Sequence, residues 1–256
     1  MGGISNYNAL VYCEKILKSL YIYTNNFNRL VSVEIIRQKF NIQLRPQIME
    51  KIATILPVYK NDKASYLKLS FDSILYQTYS NIHLYIGVDG PVGKDLAVCL
   101  NEYGQKDNVT ICWFPENRGL AIVLNDLLDI CFKDGYEYIA RMDADDISMQ
   151  NRFEKQMTYL HAHPEIDVVG GAIEEIDENS DSRGKEIFYP VEPKDCYEFF
   201  SRRNPHAHPA VLFRKSFFCL CQFIKSFCLI FDCFLVGTVI CAQSSFCLFL
   251  LDHIIN

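Results

Sequence analysis

An α/β fold, with a Rossmann-like and mostly parallel sheet carrying helices on both faces, is predicted by three observations. From Ile52 to about Phe218, runs of β-formers alternate in regular order with segments whose apolar residues recur at helical spacing. Each run ends in a polar or turn-forming stretch, and the carboxyl edge of an open α/β sheet is where such folds receive their ligands. The length of 256 residues is enough for one such domain with its own core, plus extensions.

The first strand is Ile52 to Val58, opening abruptly after Met49-Glu50-Lys51, so the domain is expected to begin at Met49. Leu67, Phe71, Ile74 and Leu75 then form a helical stripe whose start Asp62 can cap. Strand His83 to Val88, a helix over roughly Asp95 to Tyr103 and strand Val109 to Trp113 follow. Leu120, Leu124, Leu127, Leu128 and Cys131 trace the next apolar helix face. Strand Tyr138 to Met142 leads into acids, and Phe153, Met157 and Leu160 mark a helix that begins near Asn151, is capped by Asp146 or Ser148, and is ended by His163-Pro164. Val168 to Ile173 reads as one further strand. Three segments result: an atypical extension over 1–48, in which Leu10, Cys13, Leu17 and Leu20 suggest a helix, an α/β domain over 49–218, and a Cys- and Phe-rich apolar tail over 219–256.

The strand ends can line one cleft. They carry Pro57-Val58-Tyr59-Lys60-Asn61-Asp62, Asp89-Gly90-Pro91, Glu116-Asn117-Arg118-Gly119 and Asp143-Ala144-Asp145-Asp146. In an extended segment Asp143 and Asp145, two apart, share a side and suit one hard divalent ion held together with a ligand's phosphates. An EF-hand is excluded, because Ile147 and Ser148 stand where that loop needs an oxygen ligand and a glycine. A nucleotidyltransferase would want a Gly-rich basic loop after strand one, and Pro57 to Lys63 contains no Gly. A formal net charge of −6 with scattered Lys and Arg gives no stripe for nucleic acid, so no nucleic-acid partner is expected. The cysteines lack zinc-site spacing, and no basic segment leads into an apolar core near Met1, so a cytoplasmic start is expected.

In order and spacing, Ile55-Leu56-Pro57-Val58-Tyr59, Ser73-Ile74-Leu75-Tyr76-Gln77-Thr78-Tyr79, Val88-Asp89-Gly90, Glu116-Asn117-Arg118-Gly119-Leu120, Ala140 to Asp146 and Asn151-Arg152-Phe153-Glu154-Lys155-Gln156 resemble the family 2 glycosyltransferases of the GT-A fold. Asn204-Pro205-His206-Ala207-His208-Pro209-Ala210-Val211 resembles that family's later acceptor-side motif. The resemblance implies a nucleotide-sugar donor (a UDP- or GDP-sugar), Mg²⁺ or Mn²⁺, a saccharide or lipid-linked saccharide acceptor, an inverting transfer and a place in surface polysaccharide synthesis. It implies that Asp89 binds the donor's base or ribose with Pro57 and Tyr59 shaping the pocket. Asp143 and Asp145 would form the DxD motif that holds the metal, Arg118 would add a phosphate contact, and His208 would stand on the acceptor side. Each has a plainer rival: Asp89-Gly90 alone reads as a turn, and the acids alone as helix caps.

The pattern departs from the family after Lys215, where the only acids are Asp232 and Asp252 and neither stands in a motif like the family's acidic pair. The general base of the transfer is therefore expected to be missing, the domain to be truncated at its carboxyl side, and the alternative function to be an inactive remnant that binds nucleotide and metal. Removing such a base typically costs about 10²-fold to 10⁴-fold. Cys233 to Leu251 holds no charged residue and is just long enough for a short membrane span, which would place the chain at the cytoplasmic face of a membrane. The abrupt composition change favours a second reading, a tail foreign to the fold such as a shifted reading frame produces.

Overall fold

The computed structural model describes residues 49–222 apart from 201 and 203, together with Ser245–Cys247 and Ile254–Ile255. The chain divides into two units, 1–48 and 49–256, and the expected helix of the first unit lies outside the described residues, as does most of the apolar tail.

The second unit runs β1 (Ile52–Val58), α1 (Ala64–Leu75), β2 (Ile82–Asp89), α2 (Lys94–Tyr103), β3 (Val109–Phe114), α3 (Leu120–Lys133), β4 (Tyr138–Arg141), α4 (Arg152–Ala162), β5 (Ile166–Val169), β6 (Ile173–Ile176), β7 (Ser182–Ile187), α5 (Pro193–Phe200), β8 (Leu212–Arg214) and α6 (Lys215–Gln222). The main sheet has the order β3-β2-β1-β4-β8-β5, continued by Ser245–Cys247. Strands β3, β2, β1 and β4 are parallel, while β8 lies antiparallel between β4 and β5. The order reverses at β1, so the crevice expected at the carboxyl ends opens above β1, its neighbours β2 and β4, and the loops that leave them.

Both faces of the sheet are covered, which is why its strands read as continuous apolar runs. Ile52, Leu56, Val58, Leu84, Ile86 and Val88 pack on one side with Phe71 and Ile74 of α1, Leu100 of α2 and Phe153 of α4. Ala53, Ile55, Tyr85 and Ile139 point the other way, against Val123, Leu124, Leu127 and Cys131 of α3 and Phe217 and Phe218 of α6. The period-two alternation of β1 thus feeds two cores. Gly87 lets α3 approach, since a Cβ there would stand 2.5 Å from Val123 Cγ1.

Three local expectations are corrected. Asp62 does not cap α1: Lys63 occupies the N-cap without a side-chain bond, and the Asp62 carboxylate accepts the Tyr59 N–H at 2.8 Å instead. Neither Asp146 nor Ser148 caps α4, whose N-cap is Asn151. The single strand Val168 to Ile173 is two strands in two sheets, β5 in the main sheet and β6 in a hairpin with β7. Gly170-Gly171 interrupts the run, and glycine permits such breaks where a continuous apolar pattern hides them. His163 and Pro164 do end α4, as the steric demand of proline on its predecessor requires.

Candidate functional site

The β4–α4 segment carries the acids, and hydrogen bonds from α1 and the turn that follows it fix its path. Ser70 Oγ donates to the Asp143 carbonyl at 2.8 Å, and the Ser148 N–H donates to Ser73 Oγ at 2.9 Å. The Gln77 amide donates to the Ser73 and Met149 carbonyls, each at 2.8 Å, while its oxygen accepts the Phe153 N–H at 3.2 Å. From below, the buried Arg152 guanidinium donates to the carbonyls of Arg141 and Val211, each at 3.1 Å, and to Gln156 Oε1. Gln156 in turn donates to the carbonyl of Ala210 at 2.8 Å. Two of the sequence motifs are therefore the scaffold of the acid loop. Sequence reading noticed their order without finding this role, for which the available signal was a pair of serines, Ser70 and Ser73, three apart on an otherwise apolar helix stripe, followed by Gln77 just beyond the helix end.

Asp143 and Asp145 differ in environment. Asp143 is half-buried and held by both ends of the buried Arg141 guanidinium, at 2.9 Å from NH1 to Oδ2 and 2.6 Å from NH2 to Oδ1. Asp145 is exposed. Two further carboxylates stand in the same field. Asp62, at the mouth of β1, is raised to about 6 by burial and then by the charges of Asp145 and Asp143, against the pull of the Tyr59 N–H. Asp146, 7% exposed, is raised to about 8 by burial and the same two charges, against Arg141 and Arg152. Four carboxylates from two loops thus repel one another at the sheet's carboxyl edge, an arrangement that a divalent cation would relieve. Among the described residues no three His, Cys, Asp or Glu side chains converge as a ready-made cage, so an ion there would take its remaining ligands from a bound oxyanion or water.

His208 is brought to the same place. Its ring lies in the 3₁₀ turn His208–Ala210, and the Asn204 amide donates to its Nε2 at 2.5 Å, which leaves the proton on Nδ1. Burial, then the Arg141 charge, lowers it to about 4 despite Asp143, so it is neutral at neutral pH.

Asp89 ends β2 one residue beyond the Val58–Val88 register pair and is 5% exposed. Its carboxylate accepts the N–H groups of Arg118 at 2.7 Å and Gly119 at 2.9 Å, and so fastens the β3–α3 loop to the edge. Gly90 holds φ at +84°, with Asn117 N only 2.7 Å from where a Cβ would stand. Arg118 turns its guanidinium to Asp126 and onto the Phe114 ring, 4.5 Å from the centroid. Pro57 is half-buried and Tyr59 exposes 43% of its surface, leaving an aromatic ring free at the mouth of β1. Asp232 and Asp252 lie outside the described residues.

The model for "Glycosyl transferase family 2" matches residues 54–223. The amylovoran biosynthesis glycosyltransferase AmsE of Erwinia amylovora is 32% identical over 163 residues, 64% of this chain and 59% of that protein. The O-antigen biosynthesis glycosyltransferase WbnJ of Escherichia coli is 36% identical over 169 residues, 66% of this chain and 63% of that protein. This chain thus spans about six tenths of the length of these relatives. Among solved structures, S. aureus TarS 1-349 in complex with UDP superposes with a TM-score of 0.61 at 13% identity, covering 80% of this chain and 60% of that one. The mannosyltransferase PcManGT from Pyrobaculum calidifontis, in complex with GDP-Man and Mn²⁺, gives 0.52 at 14% identity over 82% and 58%.

Proposed function

Since this chain belongs to glycosyl transferase family 2 and has the GT-A fold, we propose that it binds a nucleotide-diphospho-sugar at the carboxyl edge of β1, β2 and β4 and serves sugar transfer in the building of a surface polysaccharide. The observation that carries this reading is the placement of Asp143 and Asp145 on a β4–α4 segment that Ser70, Ser73, Gln77 and Arg152 hold at the carboxyl edge of the sheet. Neighbours solved with UDP and with GDP-Man and Mn²⁺ support the ligand class, either UDP or GDP.

In this reading Asp145, exposed and without a guanidinium, is the principal ligand of Mg²⁺ or Mn²⁺, and Asp143 is the acid that Arg141 aims. When bound, the ion supplies Lewis-acid charge to the departing diphosphate. Tyr59 and Pro57 offer a face for the base. Asp89 acts through the loop it fastens, presenting the turn at Asn117 to Gly119 beside the nucleotide. Arg118 reaches a phosphate only by leaving Asp126. His208, neutral, held by Asn204 and close to Arg141 and Asp143, stands on the side of the acceptor, a saccharide or lipid-linked saccharide.

The test is calorimetric titration of UDP and GDP with and without Mn²⁺. The parent binds one of them in a Mn²⁺-dependent way, and Asp145→Ala loses that dependence. A variant that binds with the parent's affinity and metal dependence removes the basis for the cation role.

A further inference from the structure

The main sheet ends on one side at β3, and among the described residues no strand pairs with its outer edge. Other edges of the molecule are treated differently. Beyond β5 the sheet is continued by Ser245–Cys247, and the hairpin's outer strand β7 carries Arg183, Lys185 and Glu186 and meets β6 through a register shift. Cover, charge and irregular register are devices that keep an edge from recruiting another strand. Strand β3 has none of them: Val109–Phe114 runs Val-Thr-Ile-Cys-Trp-Phe, without a charge or a proline, in unbroken register with β2.

The backbone groups on this edge can be assigned from the ladder. The Leu84 N–H donates to the Asn108 carbonyl at 2.9 Å, and alternate residues of a parallel strand address the same neighbour. Thr110, Cys112 and Phe114 therefore turn their N–H and C=O groups to β2, and Val109, Ile111 and Trp113 turn theirs outward. The Val109 N–H is taken by the Lys106 carbonyl at 3.1 Å. The N–H groups of Ile111 and Trp113 and the carbonyls of Val109, Ile111 and Trp113 have no partner among the described residues. The side chains of these three share one face of the sheet, where Val109 and Ile111 pack with the core beneath α1 and α2 and Trp113 stays 49% exposed.

We infer that β3 is the contact strand of a symmetric dimer, pairing antiparallel with β3 of a second copy about a two-fold axis at Ile111. The edge accepts a strand, and this strand is complementary to itself. With the axis at Ile111, the two Ile111 residues exchange both of their hydrogen bonds, and each Trp113 N–H meets the Val109 carbonyl of the other copy, so every outward donor is used. Each Trp113 ring then covers Val109 of the other copy, an aromatic and β-branched pair of the kind that stabilises antiparallel strands. Charge selects this register. It brings exposed Lys106, just before the strand, beside exposed Glu116, just after it in the other copy, whereas an axis at Cys112 keeps the backbone pairing but sets Lys106 toward Arg118. One short strand per copy makes a small interface, so the dimer is reversible. The axis also sends the two carboxyl edges to opposite ends of the joined sheet, which leaves both clefts open.

Sedimentation velocity of the full chain over a micromolar concentration series tests the dimer. The parent passes from monomer to dimer as concentration rises. Trp113→Lys, which places a charge on the edge, and Trp113→Pro, which removes a donor that β2 does not use, each weaken the dimer about tenfold or more, with thermal melts by circular dichroism near the parent's. A parent that stays monomeric throughout, or a dimer that neither variant weakens, overturns the inference. A second measurement does not depend on how those variants fold. In the proposed register Thr110 faces Cys112 of the second copy as a non-hydrogen-bonded pair, with Cα atoms about 4.5 Å apart and so within disulfide range. Mild oxidation of Thr110→Cys therefore gives a dimer on a non-reducing gel, in which fragment mass spectrometry finds the introduced thiol joined to Cys112 of the other copy. A dimer joined instead from Cys112 to Cys112, or no linkage through β3 in this variant, overturns the pairing about Ile111.

Discussion

Asp143→Asn and Asp145→Asn should separate in stability although both remove one charge from the same motif. The Arg141 side chain is 3% exposed and places both terminal nitrogens on Asp143, whose own side chain is 31% exposed. Arg141 Nε is already buried without a hydrogen bond, so the guanidinium depends on this pair. Breaking a buried pair typically costs about 3–5 kcal/mol. Partial exposure of Asp143 reduces this, and about 2–3 kcal/mol is expected for Asp143→Asn. Asp145 is exposed and raises both Asp62 and Asp146, so Asp145→Asn relieves repulsion and should fall within about 0.5 kcal/mol of the parent or be more stable. Urea denaturation at pH 7 without metal reads the difference: with a slope of about 1–3 kcal/mol/M, Asp143→Asn lowers the midpoint by roughly 1 M while Asp145→Asn does not. Equal losses in the two variants, or none in Asp143→Asn, would refute the division of labour between the acids.

Gln77→Leu leaves the Met149 carbonyl and the Phe153 N–H without the partner they have just past the end of α1; at about 1–3 kcal/mol per orphaned buried group a loss of about 3 kcal/mol is expected, and a midpoint like the parent's would show that the acid loop is held elsewhere. Gly90→Ala must place a Cβ 2.7 Å from Asn117 N at φ +84° and should cost about 2–3 kcal/mol while weakening nucleotide affinity through the displaced loop, a pairing that a thermal melt and a UDP or GDP titration check together. Asp146 is raised from 3.8 to about 8 in the folded protein, so the folded state binds an extra proton between those values and stability falls as pH rises through that window. His206 and His208, lowered by burial to about 3 and 4, act with the opposite sign: their contribution is complete above about 6.5 and is lost as pH falls. The Asp146 decline is therefore seen best between pH 6.5 and 8, about 2 kcal/mol in the parent and absent in Asp146→Asn; urea midpoints with the same slope in both would contradict it.

The layers of the fold were legible because their cause is local. Strands β1, β2 and β4 are short runs buried on both faces, and α1, α3 and α4 carry stripes that a 3.6 period reveals. The break after Val169 was hidden because Val168 to Ile173 stays apolar while the chain leaves one sheet for another, a tertiary event with only Gly170-Gly171 as its local mark. The placement of β8 between β4 and β5 also depends on pairing across the chain and not on any local pattern.

Site residues were harder for a different reason: spacing places a side chain at an edge but does not say what its polar atoms will face. Asp89 and Asp143 both stand where the sequence put them, yet Asp89 spends its oxygens on two backbone N–H groups and Asp143 on Arg141. A carboxylate so engaged is costly to redirect, because any ligand must replace bonds already made in a partly dry setting. Asp62, read as a helix cap, kept only one such bond and instead faces Asp145 and Asp143. Exposure is left over at Tyr59 and Asp145, and Ser70, Ser73 and Gln77 fix the backbone on either side of Asp145. Positioning by a rigid frame, with few polar contacts kept open, is what a site needs if binding is to cost little reorganisation.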